Sequence, residues 1–436
     1  VIAAGGIGAA GAGRKARLAA AFGTGGLLGG ALLIVTALVF SPGAGGGAAG
    51  SAVTGGAGTG AFFRYAESPL FGSLAVGMDP LSGLFPIPVL FLSVLCGFYG
   101  VGYLGGHGRE RNMGMQWFWY DLLVLGMIGV LSARDFITLA VCWEIMTISS
   151  YFLVAFESEN PQVRRAGMIY LIASHCSIAL LLPGFILLSR FCDGLLFPAG
   201  PLKAAAAGGS TVFILTFCGF GLKAGFFPVH VWLPEAHPAA PSHVSALLSG
   251  AMINMGVYGI LRVCSFFTEI PLWWGGAVIL VGAVSAVLGI LYSLGQRDLK
   301  RILAYSSVEN MGIIAIGIGI GLIGFGMGNA AVGVLGISGA LLHILNHCLF
   351  KGTLFLGAGS VFHSTGVRDI ERLGGLAKSM KRTAAVMIVA GAAICALPPF
   401  GGFVSEVLLY LGVFKGILSG ELTETVLLAV GGSLLA

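Results

Sequence analysis

The feature that most constrains this chain is a series of apolar runs, each roughly 18–25 residues long and recurring about ten times, the length a helix needs to cross a bilayer core. Backbone groups in hydrocarbon must be satisfied internally, so such runs form helices or a closed barrel. They lack period-two alternation and are too long for barrel strands. Only 9% of the 436 residues are charged, whereas a soluble domain carries about 25%. The fold class is therefore an all-α polytopic membrane protein of about 12–14 transmembrane helices.

Polar breaks divide the chain into the tail of a first helix to about residue 12, then spans at 18–40, 78–104, 115–131, 136–156, 167–189, 211–230, 244–266, 272–294, 302–323, 329–362 and 384–416, with a last apolar segment from about 424. The Gly/Ala-rich stretch 41–77 reads as an external loop. Three parts follow: 1–114, 115–266 as a first group of five helices, and 267–436 as a second. Val at position 1 and an apolar run at the other end suggest a chain cut at both ends.

Basic residues are unevenly shared among the loops. Arg14, Lys15, Arg17, Arg109, Arg111, Arg164, Arg165, Arg297, Lys300, Arg301, Arg368, Arg372, Lys378, Lys381 and Arg382 fall on one face, and Arg64, Arg134, Arg190, Lys203 and Lys415 on the other. The richer face is expected in the cytoplasm of a prokaryotic cell, with the chain in its inner membrane. The net charge of +5 then reflects topology, and no nucleic-acid partner is expected. The eight cysteines sit singly, without C-x-x-C spacing, so no cluster, disulfide frame or other cofactor is expected in this chain. No G-x-G-x-x-G follows a strand pattern, and the many glycines suit close helix packing instead.

Two spans carry helix breakers at membrane depth, GLKAGFFP at 221–228 and LPPFGGF at 397–403. Each lies in one of the five-helix groups, the arrangement expected of two inverted repeats with sites at the breaks. Few ionisable residues lie inside spans, where each costs about 2.5–3.5 kcal/mol on insertion scales. Arg262 ends its span and is expected to snorkel to the interface. Glu144 and Lys223 have apolar sequence on both sides and are expected to pair, the lysine gaining or losing a proton as its partner moves. His343, His347 and Lys351 fall at i, i+4 and i+8, so they stack on one helix face, with Asn346 close by. A histidine pair at this spacing could hold a metal, but no carboxylate or cysteine on that helix completes a site, and none is expected. Histidine titrates near neutrality, which suits a proton relay. Glu406 follows the second break with an acid, and Glu309 lies near the row. His230, His237 and His243 flank a proline-rich turn suited to proton uptake or to simple capping.

At these residues the chain resembles a known family. The runs FGLKAGFFPVHVWLPEAHPAAPSHVSALLSG (220–250), QRDLKRILAYSSVENMG (296–312), HILNHCLFKGTLFLGAGSVF (343–362), DIERLGGLAKSMKRTA (369–384) and LPPFGGFVSE (397–406) resemble the antiporter-like subunits of respiratory complex I and its relatives. The likeness covers roughly residues 78–420 and is greatest to the branch in membrane-bound [NiFe] hydrogenases, which includes the formate hydrogenlyase and hydrogenase-4 membrane subunits. It implies two inverted five-helix repeats, a hydrophilic axis along the membrane midplane and no cofactor of the chain's own. It also implies a complex with other membrane-arm subunits and a cytoplasmic redox arm, a [NiFe] large subunit with iron–sulfur subunits, that drives proton movement. The relay residues it implies are Glu144, Lys223, His343, His347, Lys351 and Glu406. Asn254 departs from the pattern, standing where many members have lysine; it can order water but cannot hold a proton charge. Two further readings remain at this stage: a subunit of a multisubunit Na⁺/H⁺ antiporter or of an NADH–quinone oxidoreductase, and a membrane scaffold with an interrupted relay.

Overall fold

A computed structural model of the chain describes residues 1–12, 16–40, 52–53, 62–68, 72–105, 112–192, 194–204, 208–419, 425, 428 and 431–432. Of the loop cations counted above, Arg14, Lys15, Arg109 and Arg111 lie outside this set, as does most of the last apolar segment.

Helices α1 (Ile2–Ala12) and α2 (Ala16–Phe40) open the chain. The stretch expected to be a loop instead contains three antiparallel strands, β1 (Ala52–Val53), β2 (Phe62–Ser68) and β3 (Gly72–Gly77). There follow α3 (Pro80–Leu84), α4 (Pro86–Leu104), α5 (Met113–Ser132), α6 (Phe136–Val154), α7 (Pro161–Ser189) and α8 (Gly209–Ala224). Next come α9 (Leu233–Ala239), α10 (Ser242–Leu247), a π-helical turn Leu248–Met252, α11 (Ile253–Cys264), α12 (Leu272–Leu294), α13 (Leu299–Gly326) and α14 (Ala330–Thr365). Short α15 (Leu376–Ser379), α16 (Lys381–Ile394) and α17 (Gly401–Ser419) complete the order. Among the described residues nine helical segments are long and apolar enough to span a membrane, and three shorter apolar helices accompany them. The span Ser242–Cys264 is wholly enclosed by its neighbours, and α13 is nearly so.

Helices approach closely because their contact faces are stripped of side chains. A methyl at Gly312 would come within 2.4 Å of the Gly282 carbonyl, so only glycine lets α12 and α13 touch at this height.

Both predicted breaks interrupt helices. At the first, Gly225 takes a left-handed conformation (φ +80°), and a Cβ there would lie 2.0 Å from Leu233. The freed backbone is satisfied locally: Phe226 N–H donates to Gly221 C=O, Phe227 N–H to the Ser285 hydroxyl, and the Trp232 indole to Leu222 C=O. At the second, Cys395 and Leu397 N–H groups donate to Gly391 and Ala392 carbonyls before the chain restarts at α17. A bilayer offers no water to these groups, so the break is tolerated only where protein supplies partners.

The two ends of α4 mark the two ends of the bundle. Near Tyr103 the loops at 234–241, 295–301 and 366–372 are tied together. Arg301 pairs with Glu235 and Arg368 with Asp298, and Arg368 also donates to Pro238 C=O at 2.6 Å. At the other end β3 is zipped onto residues 133–135, with Asp135 accepting from Ala75 N–H and Thr138. Beside it, Arg262 corrects the expectation of snorkelling. It is buried and makes a bidentate contact with Asp79 at 2.6 and 2.7 Å, while Arg134 stands 3.4 Å from the same carboxylate. Burial alone would raise the Asp79 carboxyl. The hydrogen bonds and charge of Arg262, with the charge of Arg134, outweigh it and hold the group well below the usual carboxylate range.

Removing one partner of such a pair strands the other, so Asp79→Asn is expected to cost about 3 kcal/mol, read as a lower melting midpoint in mild detergent. Because the native carboxyl is held low, its contribution is complete above about pH 4 and drains as the pH falls further. The gap between wild type and Asp79→Asn therefore narrows in acid; a gap that widened there would contradict the assignment.

Candidate functional site

Lys351 on α14 is enclosed, and its ammonium donates to the Ser306 hydroxyl and, at 3.2 Å, to the Leu303 carbonyl, both on α13. One turn earlier His347 is buried, with neither ring nitrogen in a hydrogen bond. A turn before that, His343 is fixed on both sides: Nδ1 lies 3.0 Å from Ser405 Oγ on α17, and Nε2 lies 3.2 Å from Asn310 Oδ1 on α13. The four-residue spacing thus stacks three side chains on one face of α14, with His343 held between α13 and α17 and Lys351 held on α13. Glu406, next to Ser405, is partly buried, and Glu309 on α13 lies within electrostatic reach of both Lys351 and Glu406.

Lys223 ends α8 at the first break and is almost fully enclosed. Its expected partner is not beside it. Three hydroxyls hold the ammonium instead: Tyr170 at 2.7 Å, Thr147 at 3.2 Å and Ser174 at 3.3 Å. Glu144 faces another way on α6, with its carboxylate 3.6 Å from His175 on α7; their side chains are 28% and 53% exposed. The pairing fails because Glu144 lies on the perimeter of the α6–α7 layer, whereas Lys223 points inward toward α7.

Asn254 is buried on α11. Its amide nitrogen donates back to Gly250 C=O at 2.8 Å, and its Oδ1 has no hydrogen-bond partner. A different residue, in the turn before this helix, reaches across to α13. Ser249, inside the π-helical turn, lies 2.8 Å from Ser307 Oγ on α13, and Ser307 donates to the same Leu303 carbonyl that receives Lys351. On the other side of that turn, Met252 Sδ accepts from the Tyr170 hydroxyl that holds Lys223. The hydroxyl-rich run AYSSVEN announced polarity on α13, but nothing in it marked which serines face the lysine.

The three histidines of the turn do not form one group. His230 stacks on Phe227 beside Tyr292 and Tyr305. His243 sits among Tyr103, Trp117 and Tyr120, with Gln116 3.4 Å from its ring. His237 is fully buried against Phe355, and its ring nitrogens make no hydrogen bond. Among the described residues no group of three or more His, Cys, Asp or Glu side chains is placed to hold a metal ion.

A bundle of this kind, with a buried polar row and two interrupted helices, is the build of an antiporter-like membrane subunit. The chain belongs to the transmembrane family shared by NADH:quinone oxidoreductases and Mrp antiporters, matched over residues 133–435. It is 40% identical over 347 residues to hydrogenase-4 component B of Escherichia coli K12 (79% of this chain, 51% of that one), and 34% identical over 362 residues to formate hydrogenlyase subunit 3 of the same organism (82% and 58%). It therefore spans just over half the length of each of these relatives. A solved Mrp complex from Dietzia sp. DQ12-45-1b has the same fold, with a TM-score of 0.80 at 22% identity, covering 100% of this chain and 76% of that one.

Tyr170→Phe removes the shortest hydrogen bond to a buried ammonium and is expected to destabilise the chain by roughly 1–3 kcal/mol. Adding Lys223→Met should recover part of that loss, because both partners are then apolar. A double-mutant cycle of melting curves with no coupling between the two positions would count against this contact.

Proposed function

We propose that this chain is the proton-translocating, antiporter-like subunit of a redox-driven membrane complex of the hydrogenase or formate hydrogenlyase type. In this reading a cytoplasmic arm with a [NiFe] large subunit and iron–sulfur subunits supplies the drive, and this chain sits in the inner membrane with its basic loops in the cytoplasm. The observation that carries the reading is the sequence of buried contacts from Lys223 and Tyr170, past the π-helical turn, through Ser249 and Ser307 to Lys351, then along α14 to His343 and Ser405. Each member of that row exchanges protons or orders the groups that do. The relay residues are Glu144, Lys223, Asn254, His343, His347, Lys351 and Glu406, with uptake on the side of His230, His237 and His243. The two-repeat plan belongs to the same reading, supported by one broken helix in each of 115–266 and 267–436.

Chemically, a lysine enclosed by neutral hydroxyls keeps its proton only while the local field favours it. A shift of Glu309 changes that field at Lys351, and Glu144 with His175, 3.6 Å apart, lies at the outer edge of the first half. The likeness to the Mrp complex supports a second reading, a subunit of a Na⁺/H⁺ antiporter without a redox arm. Co-purification in mild detergent separates them: a [NiFe] subunit with iron–sulfur proteins belongs to the first, and antiporter subunits alone to the second.

Lys223→Ala or Lys351→Ala is expected to lower proton pumping by roughly two orders of magnitude while the soluble arm still reduces artificial acceptors; undiminished pumping in both would sink the proposal. Asn254→Leu, which deletes the side chain able to accept from a water, should lower pumping up to about tenfold, the weight of one hydrogen bond. If it changes nothing, the Ser249–Ser307 contact joins the halves without Asn254.

A further inference from the structure

Lys300 is a second buried lysine on α13, and the relay described above does not use it. Its side chain is enclosed, and its ammonium donates to Ala240 C=O at 2.8 Å. No carboxylate lies within ion-pair distance of it among the described residues, and the charges that bear on it are Arg368, Asp298 and Glu157. It lines a crevice of about 90 Å³ at the Tyr103 end of the bundle, with Tyr103, Glu157, Val163, Pro241 and Arg368. A water occupies about 30 Å³ of liquid and needs only about 10–15 Å³ of probe-filled space, so the crevice has room for several. Its walls offer them a phenol, a carboxylate, an ammonium and a guanidinium.

His237 lies three residues before the Ala240 carbonyl that holds Lys300, and its buried ring packs against Phe355, one turn beyond Lys351 on α14. The two ammoniums that act on its ring are Lys300 and Lys351. Both of its nitrogens are enclosed and lack a hydrogen-bond partner. The two lysines also share α13: Lys300 belongs to it, and Lys351 is held by its Leu303 carbonyl and Ser306 hydroxyl. Six residues of helix, about 9 Å, separate Lys300 from Ser306.

Resting on the proton-translocating reading above, we propose that Lys300 is the gate between the crevice and the buried row, and that it hands protons through His237 to Lys351. A crevice water gives a proton to the Lys300 amine and leaves as hydroxide. The ammonium passes the proton, through intervening water, to one ring nitrogen of His237. The imidazolium releases the proton on its other nitrogen toward the Lys351 amine, and the imidazole is neutral again. Charge and protons balance, and no other reactant is needed. Arginine cannot perform the first step, because it does not deprotonate in proteins.

The test uses inside-out membrane vesicles containing the full complex, with proton movement followed by a pH-sensitive dye and normalised to the amount of chain. Lys300→Gln and Lys300→Arg are both expected to lower the flux about tenfold or more, although Lys300→Arg keeps a charge able to reach Ala240. Wild-type flux in Lys300→Arg would overturn the proposal, since a clamp on Ala240 is then all the lysine supplies. Where Lys300→Arg lowers the melting midpoint, Val163→Phe decides. It fills the crevice and leaves Lys300 in place; a similar fall in flux supports the gate and an unchanged flux overturns it. Lys223→Ala and Lys351→Ala run in parallel: full flux in both removes the underlying reading, whereas loss there with normal flux in the Lys300 variants removes the gate alone.

Discussion

The organising constraint is that two ammoniums, Lys223 and Lys351, are enclosed with no carboxylate in ion-pair contact among the described residues. Each is held by hydroxyls and carbonyls of neighbouring helices instead. Neutral donors and acceptors offset part of the desolvation cost but do not lock the charge as an ion pair would. The close packing follows from the same need. Glycine-stripped faces let the neighbouring helices approach closely, and the span Ser242–Cys264 is wholly enclosed among them.

At the periphery the rule is reversed. Asp79, Arg134 and Arg262 form a direct ionic cluster, and Arg301, Glu235, Arg368 and Asp298 tie the opposite end. These pairs fix geometry. Charges at the rim are matched with charges of opposite sign in direct contact, whereas Lys223 and Lys351 are hydrogen-bonded to neutral groups.

Much of this was legible in the residues. Run length marked the spans, and Gly and Pro marked both breaks, because these are local properties of the backbone. The spacing of His343, His347 and Lys351 located one face of α14 for the same reason. What failed depended on distant contacts. Glu144 and Lys223 looked like natural partners, but whether two helices present facing sides is decided by packing around α7. Arg262 looked like a span terminus reaching for water; its partner Asp79 lies 183 residues away, at the N-cap of α3. The strands β2 and β3 were hidden in Gly-rich sequence with little periodicity. Ser249, Ser306, Ser307 and Asn310 were the quietest, since single hydroxyls are common in membrane helices and only three-dimensional position distinguishes these.

The π-helical turn at Leu248–Met252 sets all of α11 by a single extra residue. A regular helix advances about 100° per residue, so shortening this turn by one would rotate everything after it by roughly that angle. Asn254, Tyr258 and Arg262, spaced four apart on one stripe, would swing together: the amide off its carbonyl at Gly250, and the guanidinium off Asp79. One inserted backbone unit therefore acts as an angular setting, fixing how the interior of the bundle is aligned with the charged cluster at its rim.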